Sequence, residues 1–209
     1  MGRAPCYAPA MTSQLTVHGF ETSNNMKVRV ALGYKGLAYA FETIDPADRA
    51  GIVRLSGQHL TPVLVHGDVV LFDSAAILRY LDANFPDTPK LYGRSRDEQW
   101  AIEDWEMFGR TRLAGPMMEV VHTRVSGGAV SEALQADCQT RFDAAVTEVA
   151  RALGEREWLV GEGLTAADVT IAAVLRRIRV GGLFATSDAA ETLEPYVARV
   201  MAFDGAGRR

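Results

Sequence analysis

Cysteine is scarce in this chain of 209 residues, which contains only Cys6 and Cys138. Two cysteines cannot supply the several disulfides that stabilise small secreted domains, and these two do not form a Cys-x-x-Cys pair. Neither has the spacing of a metal site, so we expect no metal cofactor. This cysteine usage is typical of a reducing compartment, and we expect the protein in the cytoplasm.

Long apolar runs and an excess of positive charge are also missing. No apolar run reaches the roughly 20 residues needed to cross a membrane, and the first ten residues lack the apolar core of a signal peptide. The net charge of −4 argues against nucleic-acid binding. We therefore expect neither a membrane nor a nucleic acid as a partner. Residues 1–12 are predicted to form a loosely ordered N-terminal extension, with Met11 as a candidate natural start of the fold.

The segment of residues 60–81 is the most informative in the chain. It contains two short apolar runs, Val63–Val65 and Val69–Phe72, separated by a Gly-Asp turn, and this pattern predicts a β-hairpin. Pro62 stands at the start of the first strand, where its missing N–H is tolerated. A cis bond before Pro62 would make a tight corner and turn the backbone of Thr61 outward.

Asp73 and Ser74 follow the hairpin directly. Both are good N-cap residues, and Ala75–Leu81 continues as a helix with one apolar face. The N-terminus of a helix offers free N–H groups and a partial positive charge to a carboxylate, so this turn is suited to bind an anion. Capping alone is the alternative explanation for the pair. Hairpin, corner and helix start are predicted to converge on one small polar pocket.

The residues before the hairpin predict a mixed α/β arrangement. Apolar residues alternate at Gln14–His18 and again at 39–43, which predicts two strands. Lys27–Lys35 is predicted to be a helix between them, and 45–58 to contain one or two helical turns. The order strand, helix, strand, helix, hairpin, helix is that of a thioredoxin-like domain, which we assign to residues 13–84.

The residues after the hairpin and its helix have the apolar spacing of helices, which predicts an all-helical domain at residues 94–204. Residues 85–93 contain two prolines and a glycine and are predicted to be the linker. A long helix, Ser95–Val125, is expected to break near Gly115-Pro116. Another helix is predicted from Val130 onward. The fold class is therefore α/β plus all-α, a thioredoxin-like domain followed by a helical bundle.

Two further helices are predicted near the end of the chain. Val169–Ile178 is apolar nearly all round, so we expect it to be buried. Thr165 and Asp168 have the spacing of a capping box at its start. The last helix, Glu191–Phe203, is expected to bury four apolar residues. These are Leu193, Val197, Val200 and Met201.

Thr61-Pro62-Val-Leu, followed by Phe72-Asp73-Ser74-Ala-Ala-Ile77, resembles the glutathione-binding half of the cytosolic glutathione S-transferase family. The resemblance covers about residues 13–204 and implies that glutathione is a co-substrate. It implies that Thr61, before a cis-Pro62, pairs through its backbone with the cysteinyl part of glutathione. Asp73 would hold the ammonium of the γ-glutamyl group and Ser74 its carboxylate. The family also pairs two subunits, so a homodimer is expected.

The first helix start should hold the thiol of glutathione as a thiolate, which is the nucleophile. Residues 21–29 resemble the Ser-x-Asn-x-x-Lys-Val pattern of bacterial, serine-type members of the family. Counting back from Lys27 places Thr22 at the usual serine position, while Ser23 lies one residue later and Asn24 matches the asparagine. All three stay open as sulfur donors, and capping of the helix would also explain them. No tyrosine or cysteine lies in this loop, which disfavours a tyrosine-type enzyme and a cysteine-type thiol reductase.

One position departs from the family pattern. Members often place Lys or Gln two residues before the cis-proline to hold the glycine carboxylate of glutathione, and here that residue is Leu60. His59 or Gln58 would have to substitute, or the carboxylate is bound from elsewhere. The second substrate is expected against the long helix. Candidate wall residues there are Trp105, Phe108, Arg112, Met117 and Met118.

These features lead to three functional hypotheses. The first is a glutathione transferase, for detoxification, that conjugates the thiolate to a small hydrophobic electrophile. The second is a glutathione-dependent isomerase, dehalogenase or peroxidase that uses the same site. The third is a non-catalytic member of the family that serves as a binding module.

Overall fold

The computed structural model describes residues 14–208. The predicted extension, residues 1–12, and Met11 within it lie outside the described residues. The described chain forms four strands: β1 (Leu15–Gly19), β2 (Tyr39–Thr43), β3 (Val63–His66) and β4 (Val69–Phe72). Its helices are α1 (Ser23–Tyr34), α2 (Ala50–Ser56), α3 (Ser74–Asn84), α4 (Arg96–Phe108), α5 (Ala114–Val125), α6 (Glu132–Leu153), α7 (Ala166–Gly181), α8 (Asp188–Thr192) and α9 (Glu194–Met201).

The four strands form one mixed sheet in the order β2-β1-β3-β4. β1 runs parallel to β2, whereas the β1–β3 and β3–β4 pairs are antiparallel. The tight turn at Gly67, whose φ is +60°, joins β3 to β4. The predicted hairpin and the thioredoxin-like order of elements are thus confirmed. The predicted boundaries of the two domains, 13–84 and 94–204, remain predictions.

Helix α7 is the centre of the helical half. It packs against α4 and α9 within that half and against α1 of the thioredoxin-like half. Nearly every side chain from Ala166 to Ile178 is buried, as predicted from the apolar composition of the segment. Its N-terminus has the predicted capping box of Thr165 and Asp168. The Asp168 carboxylate also accepts hydrogen bonds from the Leu159 N–H (2.8 Å) and the Tyr196 hydroxyl (3.1 Å).

Two predicted helix boundaries were wrong. Helix α1 begins at Ser23, one turn before the predicted start at Lys27, because Thr22 is its N-cap. The helix predicted at Glu191–Phe203 is two helices, α8 and α9, that meet at Leu193. Pro195 stands in the first turn of α9, where the missing N–H would have no partner, so it starts a new helix. Leu193, Val197 and Val200 are buried as predicted, whereas Met201 is only partly buried.

The break in the long helix is also displaced from its predicted position. A π-turn, Gly109–Leu113, separates α4 from α5, whereas the break was expected at Gly115-Pro116. Pro116 has no N–H to donate to the carbonyl of Arg112, and its ring crowds the same carbonyl. The helix therefore widens in the turn before the proline and is regular again around it.

Residues 203–208 return to the thioredoxin-like half and pair with the start of β2 at the edge of the sheet. The Tyr39 N–H donates to the Gly207 carbonyl (3.1 Å), and Tyr39 and Arg208 form a parallel bridge. Arg29 of α1 donates to Asp204 (2.6 Å) and also pairs with Glu21 (3.0 Å). The predicted helical domain ends at residue 204, and the return of the chain to the sheet was not predicted.

Candidate functional site

The corner before β3 is formed by a cis Thr61–Pro62 bond, as predicted. Pro62 is buried and Thr61 is half-buried. Within residues 14–208, neither the backbone N–H nor the backbone C=O of Thr61 has a hydrogen-bond partner. Both groups therefore remain available to pair with an extended peptide placed against the corner.

The start of α1 lies next to this corner. Thr22 has extended backbone angles, and its Oγ1 accepts from the Asn25 N–H (3.3 Å) and from the Asn25 side-chain amide (2.8 Å). The same amide donates to Thr61 Oγ1 (3.0 Å), so it ties the helix start to the corner. Ser23 is buried in the first turn, and Asn24 is exposed.

The start of α3 completes the group. Oδ1 of Asp73 caps the helix by accepting from the Ala75 N–H (2.9 Å) and the Ala76 N–H (3.0 Å). Its other oxygen, Oδ2, has no partner among residues 14–208. Ser74 is buried, and its hydroxyl donates to Oδ1 of Asn24 at 3.4 Å. Five predicted residues, from three separate segments, therefore meet: Thr22, Asn24, Thr61, Asp73 and Ser74.

Asp73 has φ +73° and ψ 118°, and it is the one non-glycine residue with positive φ in the described chain. Such a conformation costs an ordinary residue of the order of 1–3 kcal/mol and is common at binding sites. It aims one carboxylate oxygen at the helix start and leaves the other without a partner in the described part of the chain. The pair of roles predicted for Asp73, a cap and a ligand for an ammonium, is therefore compatible within one side chain.

Lys27 and Glu106 are buried charged residues beside this group that the sequence analysis did not single out as site residues. Burial lowers the pKa of Lys27 to about 8, with Glu106, Arg110 and Asp73 as its charged neighbours. Burial raises the pKa of Glu106, which accepts from the Tyr92 hydroxyl (3.1 Å) and from Arg79 (3.0 Å). The sequence signal that pointed to this cluster was Lys27 itself, which stands between the apolar residues Met26 and Val28.

The loop before the corner holds the candidates for the glycine end of glutathione. The side-chain amide of Gln58 is engaged in local hydrogen bonds. It donates to the Ser56 hydroxyl and the Leu60 carbonyl, and it accepts from the Leu60 N–H. His59 is exposed, and its carbonyl accepts from Arg49 (2.9 Å), whose guanidinium lies 4.7 Å from the centre of the Phe20 ring. A permanent positive charge therefore borders the loop that carries His59.

The residues expected to bind a second substrate do not form one wall. Trp105 and Phe108 pack edge to face at 5.1 Å, and Arg112 covers Phe108 while it pairs with Glu148 of α6 (2.8 Å). Met117 is part of the core, whereas Met118 is exposed. The predicted set thus divides among an aromatic pair on α4 that Arg112 links to α6, the core and the surface.

Two family models match this chain: the N-terminal domain of glutathione S-transferases matches residues 17–89, and their C-terminal domain matches residues 131–199. Both lie in the expected order on the described fold. The chain belongs to the glutathione S-transferase family. The predicted family and the predicted fold, a thioredoxin-like domain followed by a helical domain, are confirmed.

A solved structure extends the comparison over nearly the whole chain. The glutathione S-transferase of Methylobacterium radiotolerans, solved in complex with glutathione sulfonate, superposes with a TM-score of 0.73 and covers 93% of this chain and 91% of its own. Its sequence identity is 24%, so the likeness shows the fold alone.

The curated relatives match either a short part of the chain at higher identity or most of the chain at lower identity. Glutathione S-transferase 1 of Dianthus caryophyllus is 36% identical over 93 residues, which is 38% of each chain. The present chain therefore spans less than two thirds of that relative. A stringent starvation protein A homologue of Histophilus somni is 28% identical over 186 residues, which is 85% of this chain and 81% of the relative. No helix within residues 14–208 is long and apolar enough to cross a membrane.

Proposed function

We propose that this chain binds glutathione at the cis-proline corner and transfers its thiolate to a small hydrophobic electrophile. The observation that carries the proposal is the convergence of the five residues at the corner and the two helix starts. Among residues 14–208, the backbone of Thr61 and Oδ2 of Asp73 have no hydrogen-bond partner and can bind a ligand. These groups match a peptide backbone and an ammonium, which lie close together in glutathione.

The site binds the γ-glutamyl end at the start of α3. Asp73 Oδ2 pairs with the ammonium. Ser74 binds the carboxylate through its own backbone N–H at the helix start, because the Ala75 and Ala76 N–H groups already donate to Asp73. The thiol then lies over the start of α1, where the helix dipole favours an anion. A hydroxyl or amide of Thr22, Ser23 or Asn24 donates to the sulfur and lowers the pKa of the thiol toward neutrality. The thiolate attacks the electrophile, and the leaving group departs.

The glycine carboxylate is bound by His59 together with Arg49. Leu60 has no polar group to offer, and the amide of Gln58 is engaged in its own loop. The guanidinium of Arg49 already donates to the His59 carbonyl, and its planar fork matches the geometry of a carboxylate. This arrangement replaces the side chain that the family commonly places at the position of Leu60.

The chain functions as a homodimer in the cytoplasm, where free glutathione is abundant in its reduced form. The dimer proposal is supported by large apolar side chains on the surface. Phe72 at the end of β4 is 47% exposed, and Trp100 and Met107 on α4 are 59% and 55% exposed. Trp100 and Met107 lie seven residues apart, on one face of the helix.

Two other functions use the same site. A glutathione-dependent isomerase, dehalogenase or peroxidase would share the thiolate and differ in the second substrate. A non-catalytic glutathione-binding module is the alternative from a different class. It is supported by the long match to stringent starvation protein A homologues, which are not named as transferases, and by Leu60 at the position of a common glutathione ligand.

Calorimetric titration with glutathione and turnover of a chloro-nitroaromatic substrate test the proposal together. Binding with turnover is the result expected of a transferase. Binding without turnover of this or any thiolate acceptor would favour the binding module. A chain that is folded by circular dichroism yet fails to bind glutathione at millimolar concentration would refute the proposed site.

A further inference from the structure

We propose that Asn25 is a positioning residue that orients the hydroxyl of Thr22 so that its proton is donated to the sulfur of bound glutathione. The inference rests on the proposed function, because it concerns the donor that stabilises the thiolate. Neither the motif nor the comparisons assign a role to Asn25. Its side chain is completely buried, although asparagine is polar and lies in the first turn of a helix that faces the site.

The contacts of Asn25 are directional. Its side-chain Nδ2 donates one N–H to Thr22 Oγ1 (2.8 Å) and the other to Thr61 Oγ1 (3.0 Å). Its Oδ1 is buried and has no partner within the described residues. That oxygen fits against Gly19, where a Cβ would overlap it. An unpaired buried carbonyl is costly, so the side chain is held in this orientation by the two bonds it donates.

These bonds determine what Thr22 can do. A hydroxyl has one proton and two lone pairs. Thr22 Oγ1 accepts from the backbone N–H of Asn25 and from its side chain, so both lone pairs are engaged. The proton then points away from Asn25, and the two incoming bonds polarise the O–H and make it a better donor. Ser23 has no such fixed partners within the described residues, so its hydroxyl would have to be ordered at each binding event.

The same amide sets the distance between the two halves of the site. Thr22 positions the sulfur, whereas Thr61 precedes the cis-proline that is proposed to pair with the cysteinyl backbone. One side-chain amide is bonded to both threonine hydroxyls. The sulfur donor, Thr22, and the backbone of Thr61 therefore cannot move independently. Asn25 therefore acts through Thr22 and Thr61 and does not itself contact the thiol.

The test is the pKa of the thiol of bound glutathione, followed by the ultraviolet absorbance of the thiolate during pH titration. Asn25→Leu has a similar volume and removes both N–H donors without adding charge. We expect it to raise the thiol pKa by about one unit, so that kcat/KM at pH 6.5 falls about tenfold and recovers at pH 9. Asn25→Asp should raise it further, because the carboxylate accepts the Thr22 proton and also repels the thiolate. Thr22→Val should raise the thiol pKa at least as much as Asn25→Leu does. The double variant should have nearly the same thiol pKa as Thr22→Val alone, because Asn25 acts through Thr22.

Asn84→Leu, at an exposed asparagine near the end of α3, is the matched control and should leave the thiol pKa unchanged. Melting temperatures show whether each variant is folded, and Thr22→Val compared with Thr22→Ser tests the inference if the Asn25 variants do not fold. The inference is overturned if Ser23→Ala, and not Thr22→Val, raises the thiol pKa. It is also overturned if the Asn25 variants keep the wild-type value. If the wild-type chain does not lower the thiol pKa at all, the proposed function fails with it.

Discussion

Binding and stability make different demands on Asp73. Its positive φ is costly for an ordinary residue and free for glycine, so Asp73→Gly relieves strain of the order of 1 kcal/mol or more. Glycine is also an acceptable N-cap, with a loss of only a few tenths of a kcal/mol. We expect a melting temperature equal to or above that of the wild type, together with a loss of glutathione affinity of about tenfold or more.

Asp73→Asn completes this test, because asparagine keeps the cap and tolerates positive φ but lacks the charge. Glutathione affinity measured by calorimetry should fall as in the glycine variant, with little change in melting temperature. Asp188→Asn, at an exposed position in α8, is the control for loss of one negative charge. If both Asp73 variants bind like the wild type, Asp73 is only a helix cap.

Lys27 predicts a pH-dependent cost in stability. Its pKa is lowered by burial from 10.5 to about 8 in the folded protein. Well below pH 8 the lysine is charged in both states and the cost of burial is complete, of the order of 3 kcal/mol. Between pH 8 and 10.5 the unfolded state binds more protons, so wild-type stability rises with pH. Lys27→Met, which has a similar shape and no charge, should therefore be more stable than the wild type at pH 7.

Urea denaturation at pH 7 and at pH 10.5 measures this difference in the free energy of unfolding. The advantage of Lys27→Met should shrink as the pH rises through this range. Lys90→Met, at an exposed lysine, should show no such trend. An advantage that stays constant with pH would mean that the charge of Lys27 is already compensated in the fold.

At the scale of elements, the start of α7 is held by one buried carboxylate. Asp168 accepts from the Leu159 and Thr165 N–H groups, the Thr165 hydroxyl and the Tyr196 hydroxyl. Asp168→Ala leaves these donors unpaired in the core, and we expect a loss of about 3 kcal/mol or more. For a chain of this size that is a fall in melting temperature of roughly 6–12 °C.

Ser131→Ala is the matched control for the Asp168 variant, because Ser131 caps α6 with a single exposed bond to the Leu134 N–H (3.2 Å). It should cost about 1 kcal/mol, and thermal denaturation compares the two. Equal effects would show that Asp168 contributes no more than an ordinary cap.

Elements that local signals specify could be predicted from the sequence. The apolar runs and Gly-Asp turn of the β3–β4 hairpin and the capping box of α7 depend on residues a few positions apart, and both predictions are confirmed. The start of α1 was missed because Ser23 and Asn25 are polar and yet buried, and Asn25 is bonded to Thr61 of a distant segment. The same reason hid Glu106, whose partners Arg79 and Tyr92 lie outside α4.

At the scale of the whole molecule, the exposed apolar residues Trp100 and Met107 predict self-association. Arg79 of α3 pairs with Glu103 between them, so that α3 and α4 present a joint surface. Light scattering at micromolar concentration should give the mass of a dimer. Trp100→Glu with Met107→Glu should give a monomer, whereas Val180→Glu, at an exposed valine of α7, should not. A wild-type monomer would contradict the proposed dimer.

The return of residues 203–208 to the sheet has a consequence for protein synthesis. Arg29 and its partner Asp204 are 175 positions apart. The start of β2 therefore stays unpaired on its outer side while about 160 further residues are translated, which takes roughly 8–32 s at about 5–20 residues per second. During this time the nascent thioredoxin-like half presents unpaired strand groups to its neighbours on the same messenger, and a chaperone that covers β2 would act at that stage.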